Sequence, residues 1–149
     1  MTEAVTAHEI TIRRVLDAPR ERVWRAWTRP DQLAAWWGPS GWSTPPRNVA
    51  VDLRPGGTLR ITSVADEDGA EMTSVGTFTE VLEPERLSFE EASEDNWHDG
   101  ATSTITFGDL GDGRTEMVLR STIHTTDEMI VHAEAGMSGS VDRLVELLA

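Results

Sequence analysis

Four histidines (His8, His98, His124 and His132) and 26 acidic side chains are the groups in this chain able to move a proton near neutral pH, since lysine, cysteine and tyrosine are all absent. Their absence removes a Schiff-base amine, a thiolate nucleophile, a disulfide, a thiolate metal site and a phenolic acid from the available chemistry. What remains is acid–base work by a histidine and a carboxylate that the fold brings together. The spacing alone does not bring them together. No two histidines stand at the i, i+4 interval of a helical metal pair, and none falls in a His/carboxylate cluster of recognisable geometry, so neither a metal nor a cofactor is expected. His98 lies in an acidic loop and His124 at a strand end just before a helix cap. His132 falls about 115° from the centre of its helix's apolar stripe, facing solvent or a pocket rim. All four read as structural or surface residues, and no catalytic residue is assigned.

The other chemical resource is aromatic surface. Six tryptophans occur in 149 residues, and five of them fall between Trp24 and Trp42. Trp24 and Trp27 share one side of a helical segment and read as core. Trp36, Trp37 and Trp42 crowd a Gly38-Pro39-Ser40-Gly41 turn, where indoles either line a pocket mouth or close the core.

These groups need elements to position them. The dominant one is a long closing helix, expected from Thr125 to Leu148, with Thr125 and Glu128 as a capping box. Met129, Ile130, Ala133, Met137, Ser140, Val141, Leu144, Leu147 and Leu148 fall on one side, and Asp127, Glu134, Ser138, Asp142 and Glu146 on the other. The stripe is uneven: Val141, Leu144, Leu147 and Leu148 form a plug, whereas Ala133, Gly136, Gly139 and Ser140 are small. Two glycines within a helix cost about 1 kcal/mol each against alanine, which points to a close backbone approach or to space kept open beneath them.

Upstream the pattern has period two. His8–Leu16 reads as a strand, followed by two short helices, the first opening at Pro19 and the second at Pro30. Residues 47–53 and 58–62 form a hairpin about Pro55-Gly56-Gly57. Residues 71–81 and 86–91 form another about Glu83-Pro84-Glu85, with Leu87 and Phe89 on one face. Ser103, Ile105 and Phe107 share a face of the next strand, and Met117, Leu119 and Ile123 share a face of the last. Strand 71–81 is apolar on both faces, with Met72 and Phe78 against Val75 and Val81, so its inner side stays open.

A sheet with one apolar face and a helix with one apolar stripe must pack on each other, which makes a single α+β domain over 8–149 and leaves 1–7 as a flexible N-terminus. The net charge of −13 opposes any grip on nucleic acid. No signal-like N-terminus and no run of about 18 apolar residues is present, so a cytoplasmic chain without membrane insertion is expected.

Ala18-Pro19 followed by Val23-Trp24 and Ala26-Trp27, then Trp36-Trp37-Gly38-Pro39, Leu53-Arg54-Pro55-Gly56-Gly57, Gly76 with Glu80-Val81, Pro84-Glu85-Arg86-Leu87, Gly113-Arg114-Thr115 and Asp142-Arg143-Leu144 make an ordered series. The series resembles the START-like (SRPBCC) superfamily, and within it the branch named after the activator of heat-shock protein 90 ATPase. The resemblance implies a helix-grip (START/Bet v-like) fold: a curved antiparallel sheet of about seven strands around the C-terminal helix, two short helices between the first two strands, and a cavity between sheet and helix. Members commonly carry Gly-Trp where this chain has Gly136-Met137, a flexible thioether in place of an indole. Relatives that stimulate the chaperone ATPase carry an additional N-terminal domain, which a chain of 149 residues is not expected to hold, so co-chaperone activity is not the first expectation.

The expected function is binding of a hydrophobic or aromatic small molecule in that cavity, lined by Trp36, Trp37, Trp42, Leu59, Phe78, Phe89, Phe107, Met117, Met129, Ala133, Gly136, Met137 and Ser140. A cavity enzyme of the polyketide cyclase or hydrolase type is the alternative, and a chaperone-interacting module the third. A homodimer is allowed, and a chaperone contact ranks last among the expected partners. A closed apolar cavity favours binding, a convergent buried His and carboxylate pair favours catalysis, and a filled core favours the interaction role.

Overall fold

The computed structural model describes residues 4–93 and 96–149. Met1–Glu3, part of the stretch expected to be flexible, lie outside the described residues, as do Glu94 and Asp95 of the acidic loop.

Alternation of apolar and polar residues builds the first strand, β1 (Thr6–Leu16), which buries Ile10, Ile12 and Leu16 on one face. It begins two residues earlier than the sequence pattern indicates, because Thr6 and Ala7 pair with Thr125 and His124 of the last strand. Two helices follow, α1 (Arg20–Thr28) and α2 (Pro30–Trp36). Pro19 caps α1 instead of opening it, while Pro30 takes the first position of α2 as expected. After a two-residue strand, β2 (Trp42–Ser43), and a single 3₁₀ turn come β3 (Val49–Val51), β4 (Thr58–Ala65), β5 (Glu71–Leu82), β6 (Arg86–Glu91), β7 (Ala101–Asp109) and β8 (Thr115–Thr125). The eighth strand beyond the expected seven is β2, too short to register as a period-two pattern.

All strand pairs are antiparallel, in the order β1-β8-β7-β6-β5-β4-β2, and β3 pairs with the same strand, β4, that β2 does. A bulge between Phe78 and Glu80 accounts for Val81 sharing the inner face with Met72 and Phe78, while Val75, ahead of the bulge, stays on the opposite face. Met72, Gly76 and Phe78 turn inward ahead of it, and the extra residue, Thr79, inverts the alternation so that Val81 packs on the core beyond it.

The closing helix, α3, spans Asp127–Leu147. Its cap is Thr126, whose Oγ1 accepts from the Met129 N–H at 3.2 Å. The expected cap, Thr125, is buried as the final residue of β8, and its ladder pairing with Thr6 commits it to extended backbone. The plug holds with one exception: Val141, Leu144 and Leu148 are buried, whereas Leu147 is exposed because Leu148, one turn after Leu144, takes the inward place. His8 and Arg14 of β1 face Asp127 and Asp142 of α3 at 3.3 and 3.4 Å, tying the helix to the sheet near both of its ends.

Candidate functional site

The inward side chains of β7 shrink toward one end, and those of β8 do so as far as Ser121. Inward positions of β7 run Phe107, Ile105, Ser103, Ala101, and those of β8 run Met117, Leu119, Ser121, Ile123 in register with them. The α3 stripe shrinks in the same direction, from Leu144 and Val141 to Ser140, Gly136 and Ala133. Large meets large at one end, where the interior is filled. Small meets small at the other, which leaves a cavity of about 360 Å³.

Its floor is the sheet: Met72 and Ser74 of β5, Phe89 and Glu91 of β6, Ala101 and Ser103 of β7, and Leu119, Ser121 and Ile123 of β8. Its roof is α3, through Met129, His132, Ala133, Gly136, Met137, Ser140 and Val141. One wall is aromatic, built from Trp27, Trp36, Trp37 and Trp42 with Gly38 and Pro39, and Trp97 and His98 close the opposite loop. Trp27, Trp36 and Trp37 form one edge-packed cluster, with centroids 4.7 Å apart for Trp27–Trp36 and 5.6 Å for Trp36–Trp37. The buried indole N–H groups are satisfied: Trp36 donates to the Ala26 carbonyl at 2.9 Å and Trp27 to the Met117 sulfur at 3.2 Å.

The aromatic turn is fastened to the C-terminal half of α3. Ser140 Oγ accepts from the Gly38 N–H at 3.1 Å, and Arg143 donates to the Gly38 carbonyl at 3.0 Å. Gly38 has a φ of +115°, a conformation open to glycine and strained for other residues. Gly136 faces Pro39 at ordinary contact distance, whereas a side chain at Gly139 would meet nothing within 4 Å. Neither helix glycine is needed for a close backbone approach.

Of the residues expected to line the cavity, the structure places Trp36, Trp37, Trp42, Phe89, Met129, Ala133, Gly136, Met137 and Ser140 there. Leu59, Phe78, Phe107 and Met117 are not in its lining. They lie on the correct face but are buried within the filled core: Phe107 meets Trp24 edge-on at 5.7 Å, Phe78 packs edge-on behind Phe89 at 6.4 Å, Met117 receives the Trp27 N–H, and Leu59 pairs opposite Gly76. Strand parity gives the face and not the position along it. Trp24 is core as expected, while Trp27 serves both core and cavity.

Of the four histidines, each expected to be structural or on the surface, His98 is the one whose side chain is buried, at 2% exposure, and it lines the cavity. Its Nδ1 accepts from the Gly100 N–H at 3.1 Å. A backbone N–H can only donate, so in the neutral ring the proton sits on Nε2, and that N–H donates to Glu91 Oε2 at 3.1 Å. Both ring nitrogens are thereby engaged, and the imidazole fixes the carboxylate without reaching the cavity's contents itself. Glu91 is 16% exposed, and its Oε1 has no hydrogen-bond partner among the described residues. The signal for Glu91 was legible: it continues the inward series Leu87, Phe89 by two residues. A second polar pair, Ser103 Oγ and Ser121 Oγ at 2.7 Å, crosses the floor. His132 is exposed at the rim, His124 is exposed at the end of β8, and His8 is taken up by Asp127. Among the described residues no group of three or more His, Asp or Glu could hold a metal ion.

Residues 17–149 match the family described as Activator of Hsp90 ATPase homolog 1-like protein, and the chain belongs to that family. Its fold is similar to that of protein CV1439 from Chromobacterium violaceum, at 27% identity and a TM-score of 0.81 over 94% of this chain and 96% of that one. Protein NE0264 from Nitrosomonas europaea is similar at 28% identity and a TM-score of 0.75, covering 94% and 93% of the two chains. The AHSA1 (SPO3351) protein from Silicibacter pomeroyi shares the fold at 21% identity and a TM-score of 0.79, covering 95% and 97%. A search of curated proteins found no significant match. These likenesses agree with the helix-grip architecture expected from the ordered sequence motifs.

Proposed function

We propose that this protein binds a hydrophobic or aromatic small molecule in the cavity between its sheet and α3. The observation that carries this is a space of about 360 Å³ walled by five of the chain's six tryptophans together with Phe89, Leu119, Ile123 and Met137. Small-molecule sites typically enclose roughly 300–1,000 Å³ of mainly apolar wall with a few placed polar groups, and this cavity fits that description. An open interior supports binding over the interaction role, for which a filled core is the expectation. Among the described residues no helix is long and apolar enough to cross a membrane.

One observation favours a second function, proton transfer in the cavity. Glu91, oriented by His98, has the chemistry of a general base facing an apolar site. Binding ranks first because a single carboxylate anchors a ligand without needing a reacting partner.

The test is native mass spectrometry of the protein as purified from cells, followed by titration with an apolar naphthalene dye read by dye fluorescence. A retained small molecule, or saturable dye binding abolished by filling the cavity, is the expected result. A chain that carries nothing and binds no apolar probe would overturn the proposal.

A further inference from the structure

Glu91 is the unusual feature of this interior. Glu91 turns a carboxylate toward a mainly apolar space: its side chain is 16% exposed, one oxygen accepts from the His98 imidazole, and the other has no donor among the described residues. The cavity lining contains no arginine, and the chain has no lysine. Arg143, the nearest cation of α3 to the aromatic turn, is engaged by the carbonyls of Gly38 and Trp42. A negative charge entering this space would therefore meet no arginine or lysine and would face Glu91; the remaining titratable group of the lining, His132, stands exposed at the rim. A positive charge would find a carboxylate and a wall of indoles, whose faces attract cations.

Resting on the proposal that the cavity binds a small molecule, we propose that it selects an organic ammonium ion, an apolar or aromatic amine whose N–H groups are accepted by Glu91 Oε1, and that it rejects organic anions such as fatty acids. The remaining polar groups agree. Ser74, Ser103 and Ser121 supply hydroxyls able to accept, His98 holds the carboxylate in place, and none of these carries positive charge toward the ligand. Glu91 acts as the anchor and His98 as its positioning residue.

The discriminating experiment is calorimetric titration, at about 0.15 M salt to screen the net charge, with three probes on one skeleton: 1-naphthylmethylamine, 1-naphthalenemethanol and 1-naphthoate. The amine is expected to bind tightest and the carboxylate weakest, about tenfold or more apart, as a charge-assisted hydrogen bond implies. In Glu91→Gln the amine's advantage over the alcohol disappears while the alcohol still binds, which shows the cavity intact, since the amide oxygen can still accept from His98. Glu90→Gln removes the same charge from the exposed, outward-facing neighbour and leaves the ranking unchanged. If the carboxylate or the alcohol binds the wild type as tightly as the amine, or if the amine's advantage survives Glu91→Gln, the anchor is refuted and the cavity function stands. If none of the three probes nor the apolar dye binds, both fail.

Discussion

Filling the cavity from its roof separates an open interior from a packed one. Met137 lies one turn from both Ala133 and Val141 and lines the cavity, half-buried against the edge of the core. Leu144, two turns further along the same stripe, is fully buried in the plug. Met137→Trp adds side-chain bulk over a space of about 360 Å³, so the new indole has room and its stability change should stay within about 1 kcal/mol, against about 1–3 kcal/mol for overfilling a packed core. Leu144→Ala removes most of a buried side chain where neighbours cannot collapse, and should cost about 3–5 kcal/mol. For a domain of this size each kcal/mol moves the midpoint by roughly 2–4 °C, so Met137→Trp should shift Tm by at most about 4 °C and Leu144→Ala should lower it by roughly 6–20 °C. Thermal unfolding followed by circular dichroism reads both. The same Met137→Trp variant should lose binding of the naphthalene dye by more than about tenfold, because its indole takes the ligand's place. If Met137→Trp destabilises as much as Leu144→Ala, the roof is packed along its whole length and the space beneath it does not exist.

Two glycines of the β3–β4 turn should behave differently. At Gly57 a Cβ would lie 2.0 Å from the Asp52 carbonyl oxygen, so Gly57→Ala must break the turn and should cost more than about 2 kcal/mol. At Gly56 only the positive φ opposes a side chain, so Gly56→Ala should cost about 1 kcal/mol; equal urea midpoints for the two would refute the steric account. Gly139→Ala places its methyl in open space within a helix and should stabilise by about 0.5–1 kcal/mol, while a loss would reveal a contact the structure does not contain. Arg143→Met leaves the Gly38 and Trp42 carbonyls without their donor and should cost about 1–2 kcal/mol, a value discounted for the arginine's partial exposure, and should weaken dye binding at the same time. Unchanged dye affinity would show that the turn is held by Ser140 alone.

The sequence carried the sheet and the helix because period-two alternation and a 3.6-residue stripe are set by burial on one face, which acts at every residue of an element. It did not carry β2, whose two residues offer no period, or the phase of β5, which a single extra residue at the bulge inverts. The cap fell one residue late because Thr125 is claimed by its ladder pairing with Thr6, a partner more than a hundred residues away. At the site, indoles around a Gly/Pro turn and small residues on one half of the helix pointed to the roof and wall. The floor was harder, since Phe107 and Ser103 share a face and only the register with β8 tells which of them meets the small half of α3. For His98, a place in an acidic loop does not tell a structural residue from a surface one. Its burial follows from the Asp99–His124 backbone bond and from Gly100, whose φ of +121° lets the loop turn back onto Glu91.

One helix thus meets two opposed demands, and their coupling has a physical consequence. A cavity forgoes the contacts that a filled core would make, and the residues lining it contribute correspondingly little to stability. The filled end must therefore hold the open end in shape. It does so directly: Ser140 and Arg143, within a turn of Val141 and Leu144, bind the Gly38 backbone and so fix the turn that carries Trp37 and Trp42. Among the described residues the opposite rim shows no such tie to the plug, and its Met129 and Trp97 are 39% and 41% exposed. The aromatic wall therefore inherits the rigidity of the plug, while the Met129 and Trp97 side is the one able to yield. Variants in the plug should then alter ligand affinity through the position of the tryptophan turn, and variants at the free rim should leave unfolding almost unchanged.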